Sequence, residues 1–567
     1  MNITKIYPLL ILGATAAVLQ ACDPGLPSDS ATGDFSPSGF AEPLSGSDYE
    51  ALSDAEKYRV ANKLLGTMYK GIPVDEFFDL SAGLSNPRIN PGYENYIQQV
   101  REAINQDLSN EQVRNVQTLI NGLDENNNPD PDRAKYRFSD SERPKEEPLA
   151  LIQEYPLSRH SFVAWMAHFL ANTIMFSPAE EMESTNLQDV QNTYKRLVNG
   201  LTERNSVRQI IRSHLPSVQR WRVARTPENT GIEGFELYLG LFETKEDSVR
   251  VGTACKDLYL TDEDDGYELA STNFGNTDPQ VILQEDTNGD GVHDSGGFFI
   301  TTCDDFYNVL SGHPLVMPRA CEVIANYLMA ERTLDDRLAM CESIVNSGAV
   351  TFEDLFKGIL FSREYLLNTE RPKGFEETFM STMNTLRWDP RNNSGEVDEQ
   401  VWRNMATNTF RRLYMRNMGW DTMTLKIGRT PNVPLDALSF ANYHKALREQ
   451  LLINDGSYEG RISNIDGVDV VIDGLFYTAD AEMNQIVKPD IAALTPTDFL
   501  HFLFLSVLQR QAGGTEITEL LTVLQNSGHL ENDNGQLTVR EFRQDDIARI
   551  VFDYASRLPE LYYFKQI

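Results

Sequence analysis

The 567 residues carry 84 acidic and 50 basic side chains, a formal net charge of −34, which argues against nucleic acid and against direct adsorption to anionic lipid, since both need a basic footprint. With 41% hydrophobic and 10% aromatic residues, the chain is globular in composition and long enough for about two to four domains of ordinary size. Its acidity suits solubility, cations and basic partners, and is equally the habit of secreted proteins of salt-adapted bacteria.

Lys5, the apolar run 7–18 and a small residue, Ala21, are the parts of a secretory signal. The ending Leu19-Gln20-Ala21-Cys22 resembles the lipobox of bacterial lipoproteins. That resemblance implies a signal peptide over 1–21, cleavage before Cys22, a diacylglycerol on its sulfur and acylation, as with palmitate, of its new amino group. It places the protein in the cell envelope, lipid-anchored to a bacterial membrane (the outer membrane favoured) and periplasmic or surface-exposed. Asp23 resembles the inner-membrane retention signal of enterobacterial lipoproteins, a rule that does not hold in all bacteria. Residues 22–48, rich in Ser, Gly and Pro, read as a lipidated flexible tether with a reach of roughly 25–30 Å. No later apolar run approaches the ~20 residues a bilayer span needs, so several acyl chains supply the anchorage.

The N-terminal helical region is expected over 49–230. Ser53-Asp-Ala-Glu56 has the form of a capping box, and the helix it opens places Tyr58, Ala61, Leu64, Leu65 and Met68 on one face. More helix is expected over 73–80, 95–120 and 157–221. The acidic stretch 124–132 reads as a solvated turn rather than a calcium loop, because two prolines interrupt it and the usual glycine is missing. His160 and His168 are eight residues apart, too far to meet on a straight helix, and read as packed or capping histidines.

Residues 231–303 change character. The runs 235–242, 248–251, 281–283 and 298–302 are short and partly alternating between Gly and Asp clusters, and predict a β-rich, loop-heavy insertion. A central helical region over 304–460 and a C-terminal helical module with a short β unit over 461–567 complete the chain. Within these, 318–330 and 334–345 form an expected hairpin, and Thr351 and Thr495 are expected caps. Further helices are expected over 401–418 and 435–452, and the short β unit over 467–474. The fold class expected is therefore mainly α, multi-helix modules with a β-rich insertion.

Three similar helix endings, 208–216, 355–365 and 548–560, suggest an internal repeat. The phrases Gly312-His-Pro314, Ile324-Ala325, Leu360-Phe-Ser-Arg-Glu-Tyr365 and Val507-Leu-Gln-Arg510 with Glu516 resemble helical surface-protein families of unknown function from bacteria with large envelopes. That likeness covers about a third of the chain and implies no more than a helical, envelope-associated protein.

With Cys22 lipidated, Cys255, Cys303, Cys321 and Cys341 remain. Outside the cytoplasm they suggest two disulfides, with three pairings open. Cys255–Cys303 and Cys321–Cys341 are expected, because each pair brackets one local unit.

The sharpest site is Asp286-Thr-Asn288-Gly-Asp290-Gly-Val292-His-Asp294, which resembles the first nine positions of an EF-hand or thrombospondin-type calcium loop. Calcium needs six to eight oxygens converging from one loop; Asp286, Asn288, Asp290, the Val292 carbonyl and Asp294 are the implied ligands. The twelfth position is Gly297 where that family has a bidentate Glu, so Glu285 or the acidic run 262–265 is needed to complete the shell. A weaker candidate at 530–541 has Glu541 at the twelfth position and a ligand-free Leu530 at the first.

No nucleophile elbow, His-Glu-x-x-His, P-loop or dinucleotide fingerprint occurs, and no catalytic residue is assigned. The sequence favours a binding or scaffolding component with structural calcium, an envelope protein partner, and the membrane as lipid partner. The second reading is an envelope hydrolase acting on glycan or peptide substrates.

Overall fold

In the computed structural model the residues described are 35–136, 143–175, 187–263, 266–285, 295–387, 477–479, 485–487, 489–539 and 544–567. Cys22 of the expected lipobox, the expected calcium ligands Asp286, Asn288, Asp290, Val292 and Asp294, residues 264–265 and Glu541 of the other acidic candidates, and the elements expected over 401–418, 435–452 and 467–474 lie outside them.

The principal helices are α1 (Asp54–Thr67), α2 (Asn110–Asn121), α3 (Arg143–Glu154), α4 (Arg159–Ala171), α5 (Leu187–Thr202), α6 (Val207–His214), α7 (Val218–Ala224), α8 (Pro227–Leu239), α9 (Lys245–Ala254), α10 (Cys303–Gly312), α11 (Val316–Leu328), α12 (Leu334–Asn346), α13 (Phe352–Leu360), α14 (Phe375–Thr385), α15 (Pro496–Leu508), α16 (Gly514–Asn526) and α17 (Gln544–Ala555). Local chemistry starts many of them. Ser53, Ser109, Ser206, Thr302, Thr333 and Thr351 each accept a hydrogen bond from the backbone N–H three residues on, and the side chain there accepts one from the cap's own backbone N–H. Such a pair satisfies two of the amides that a helix start leaves unbonded.

Two helices are buried on nearly every side. In α4 the residues from Phe162 to Ala171 are all buried, and in α15 those from Phe499 to Leu508. A helix apolar all round belongs in the middle of a large core, and the others pack around these two. α1 packs on α14 and α14 on α15, so the three helical regions set out along the sequence share one interior. Gly71, just past α1, lies so close to α14 that an added Cβ would come within 2.8 Å of the Ser381 carbonyl oxygen. Because the obstacle is backbone, we expect Gly71→Ala to cost about 1–3 kcal/mol in urea unfolding.

The strands pair locally: β1 (Leu258–Glu263) with β2 (Gly266–Ser271), β3 (Gln280–Glu285) with β4 (Ser295–Ile300), β6 (Tyr477–Ala479) with β7 (Gln485–Val487), and β8 (Leu530–Asp533) with β9 (Gln536–Val539), all antiparallel. The exception is β5 (Arg371–Pro372), which pairs with the C-terminal β10 (Tyr563–Phe564).

Two expectations are corrected. The runs 235–242 and 248–251 fall in helices α8 and α9 instead of strands. Phe235, Tyr238 and Leu239 are buried at helical spacing, as are Ser248, Val251 and Ala254, and Gly240 in the left-handed conformation ends α8. The β-rich part of the insertion thus begins at Leu258. The tether is also shorter than expected. By Phe40 the chain is bonded to the body: its N–H donates to Ser343 Oγ, that of Leu44 to the Phe361 carbonyl, and Pro43 bridges Ser362. The described part of the stretch 530–541, Leu530 to Val539, is a β-hairpin. Asn534 (φ +53°) and Gly535 (φ +88°) make the two-residue turn, the preferred chemistry for a hairpin of right-handed twist.

Candidate functional site

The insertion stands on the helical body through Cys255 and Cys303, which are disulfide-bonded. Cys321 and Cys341 join α11 to α12 in the same way. β3 and β4 run in register from Gln280↔Ile300 to Glu285↔Ser295, so residues 286–294 connect two paired strands and their ends are held side by side. Glu285 is exposed at the mouth of that connection. A Cβ at Gly297 (φ +87°) would meet Gln284 Cγ at 2.7 Å and the Ile282 carbonyl at 2.9 Å, so the position admits no side chain without a backbone shift. Asp262 and Glu263 of the acidic run end β1, paired with Tyr267 and Gly266 of β2. Ile282 and Ile300 turn inward, whereas Phe299 is 75% and Phe274 81% exposed. Rings of this size left in water are characteristic of contact surfaces.

The other residues singled out in the sequence have local duties. Asp124 accepts from the N–H groups of Asn126 and Asn128 and from the Asn128 side chain, the bonds of an Asx turn. His160 Nδ1 accepts from Leu108 N–H, and His168 packs edge-on against Tyr69. Ser311 Oγ donates to the Tyr307 carbonyl and His313 Nδ1 accepts from Leu315 N–H; burial and then Arg208 push His313 down to about 4. Among the described residues, no group of three His, Cys, Asp or Glu side chains is arranged to hold a metal.

Two features went unread in the sequence. The first is a clasp that occurs twice. Arg371 Nη1 and Nη2 donate to Glu377 Oε2 (2.8 Å) and Oε1 (2.6 Å), Nη1 also to the Pro372 carbonyl, and Gly374 N–H donates to Glu377 Oε2. Arg510, Gln511, Gly513 and Glu516 repeat each of these bonds. In both, an arginine six residues before a glutamate is held bidentate while that glutamate caps the new helix at a glycine. The recurring unit is thus Arg-x-x-Gly-x-x-Glu between two helices. Both arginines stack on rings, Arg371 on Phe564 (4.7 Å) and Arg510 on Phe504 (5.3 Å).

Around the first clasp lie buried lysines. Lys63 donates to the carbonyls of Leu366 and Thr369, and Lys70 to those of Gln153 and Tyr155 at the end of α3, where carbonyls left over by the helix favour a cation. Lys373, 4% exposed, lies 4.9 Å from the Phe564 ring centre. Burial, against the pull of Glu377, pushes its ammonium down to about 7 from an ordinary 10.5. Between those values the unfolded chain holds the proton that the folded chain has lost, so folding is opposed most at and below pH 7 and recovers as pH rises. Lys373→Met should therefore stabilise the protein at pH 6 and flatten the rise in stability between pH 7 and 10, measured by denaturant midpoints across that range.

The second feature is a group of cations inside the bundle of α5, α6, α7 and α8. Arg220, 2% exposed, has no hydrogen-bond partner on Nε, Nη1 or Nη2. Arg196 Nη1 lies 3.2 Å from His214 Nδ1, and its Nη2 donates to Gln219 Oε1 at 2.8 Å. His214 is buried, and that burial with Arg196 and Arg220 nearby holds its pKa well below the usual histidine value. Burial raises the Tyr238 phenol, while the charge of Arg220 and a contact from its guanidinium that falls short of strict hydrogen-bond geometry oppose the rise. A signal for this cluster exists in the sequence: from Arg204 to Pro227 there are six arginines and no Asp or Glu, in a chain that is acidic elsewhere.

No family model, curated protein or solved structure matches this chain.

Proposed function

We propose that the protein is a membrane-anchored bacterial lipoprotein, acylated at Cys22, that serves as a binding or scaffolding component of the cell envelope. In this reading the 258–300 insertion is its contact element, and calcium bound by Asp286, Asn288, Asp290, Asp294 and the Val292 carbonyl stiffens it. The observation that carries the reading is the β3–β4 hairpin. It holds the two ends of the acidic segment together, sets Glu285 beside them, and displays Phe299 on a strand that a disulfide ties to the body. Bringing the ends of a ligand loop together lowers the entropy cost of closing it on an ion. Two disulfides agree with an oxidising compartment, and a partner envelope protein is the occupant expected for the exposed aromatic rings.

The test has two parts. Palmitate labelling in cells should mark the protein, and Cys22→Ser should abolish the label and release the protein from membranes. Removing calcium with chelator should make the insertion cleavable by protease, and calcium should restore its resistance; Asp290→Ala should be cleavable with or without calcium. Unlabelled wild type would sink the anchor, and protease resistance indifferent to chelator would sink the calcium.

A further inference from the structure

The unsatisfied groups around Arg220 all carry a hydrogen to donate, and the Tyr238 hydroxyl among them can also accept. The three nitrogens of Arg220 carry five N–H groups, none with an acceptor in hydrogen-bond geometry among the described residues. Since His214 Nδ1 faces the Arg196 guanidinium, which can only donate, the imidazole proton of the neutral ring resides on Nε2, and Nε2 also lacks a partner. The Tyr238 hydroxyl is the third such group. The carboxylates nearest in influence are occupied or peripheral: Asp304 pairs with Arg212, and Glu233 acts on the Tyr238 phenol from farther along α8. No ion pair among the described residues involves Arg220.

A buried guanidinium cannot discharge by losing its proton, and without an anion it is among the most costly groups a core can hold. A water molecule would leave the charge uncompensated. What the cluster lacks is an acceptor bearing negative charge, of a shape that matches the guanidinium fork: two oxygens on one centre. Arg196 is the more exposed of the two arginines and stands on the solvent side of the cluster.

We propose that Arg220, Arg196, His214 and Tyr238 form an internal site for a small oxyanion, carboxylate or phosphate, bound bidentate by Arg220 and further held by His214 Nε2–H and the Tyr238 hydroxyl. This site goes beyond the envelope reading above and does not depend on lipid or calcium.

The full chain, dialysed into chloride, is melted with millimolar inorganic phosphate, with acetate, or with chloride alone at matched ionic strength, and an acid extract of the protein as purified is assayed for stoichiometric anion. The wild type should rise in Tm by about 3 °C or more with at least one of the two anions, or else yield the anion in the extract. Phosphate acting alone marks a phosphate site and acetate alone a carboxylate site. Arg220→Met should lose both the shift and the extracted anion. In chloride it should melt at or above the wild-type temperature, since an apolar side chain there removes an uncompensated charge. Arg220→Lys, which keeps the charge and loses the fork, should weaken the anion response about tenfold. No shift together with no extracted anion, or an Arg220→Met protein that responds like wild type, overturns the site.

Discussion

Glu377→Ala should destabilise the protein by about 3–5 kcal/mol, the largest effect expected from any single carboxylate described here. Glu377 is completely buried, and Arg371 is 1% exposed. Removing the acid strips Arg371 of both of its bidentate bonds and leaves the Gly374 N–H, at the start of α14, without its acceptor. The charge left behind has nowhere to go: Lys63 and Lys373 are its neighbours, and both are themselves discouraged from holding a proton by burial and by Arg371. The double variant Arg371→Met, Glu377→Leu should lose much less, because an apolar pair of similar volume carries no uncompensated charge. The second clasp supplies an internal control. Arg510 and Glu516 are 26% and 19% exposed, so water can solvate the arginine when the acid is gone, and Glu516→Ala should cost about 1–2 kcal/mol. Denaturant unfolding of the four proteins reads the series directly. A Glu377→Ala loss no larger than that of Glu516→Ala would show that burial of the first clasp carries no energetic weight.

Cys255→Ser with Cys303→Ser should cost about 4 kcal/mol in chain entropy, given a sequence separation of 48 residues. The Cys321–Cys341 bond, with a separation of 20, should be worth about 3 kcal/mol. The two losses should look different. Cys321 and Cys341 join helices that are packed on each other, so their removal should lower the midpoint of unfolding without opening one segment first. Cys255 and Cys303 close the base of two hairpins that bury little beyond Ile282 and Ile300. There the loss should appear as faster amide exchange and proteolysis confined to residues 256–302, with the core helices still protected. A Cys255/Cys303 variant that unfolds in one step with unchanged protection of the hairpins would show that their packing, not the covalent tie, holds them.

Helix starts were legible in the sequence because a cap is a short-range device: Ser53 with Glu56 and Thr351 with Asp354 sit three residues apart and bond as their spacing implies. Errors arose where a short apolar run suits either period. Phe235-Glu-Leu-Tyr-Leu reads as alternating, yet its buried members, Phe235, Tyr238 and Leu239, fall at helical spacing, and only packing against α10 and α11 decides between the two. Asn534-Gly535 has the residue types of a tight turn, but which elements the turn joins depends on β8 finding β9.

What the sequence by itself determined is therefore local: the mainly helical class, the caps, and the cysteine pairs that bracket single units. Each is set by residues within a few turns of chain. The Arg371–Glu377 clasp and its copy are equally local in spacing, but nothing in the spacing says that one is buried and the other half open. The Arg196–His214–Arg220 cluster is less legible still, because its members converge from three helices. Charge segregation along 204–227 hints at it, but the value of a charge depends on what surrounds it. Whether an arginine is solvated, paired or stranded is a property of the packed interior, and only the tertiary structure decides it.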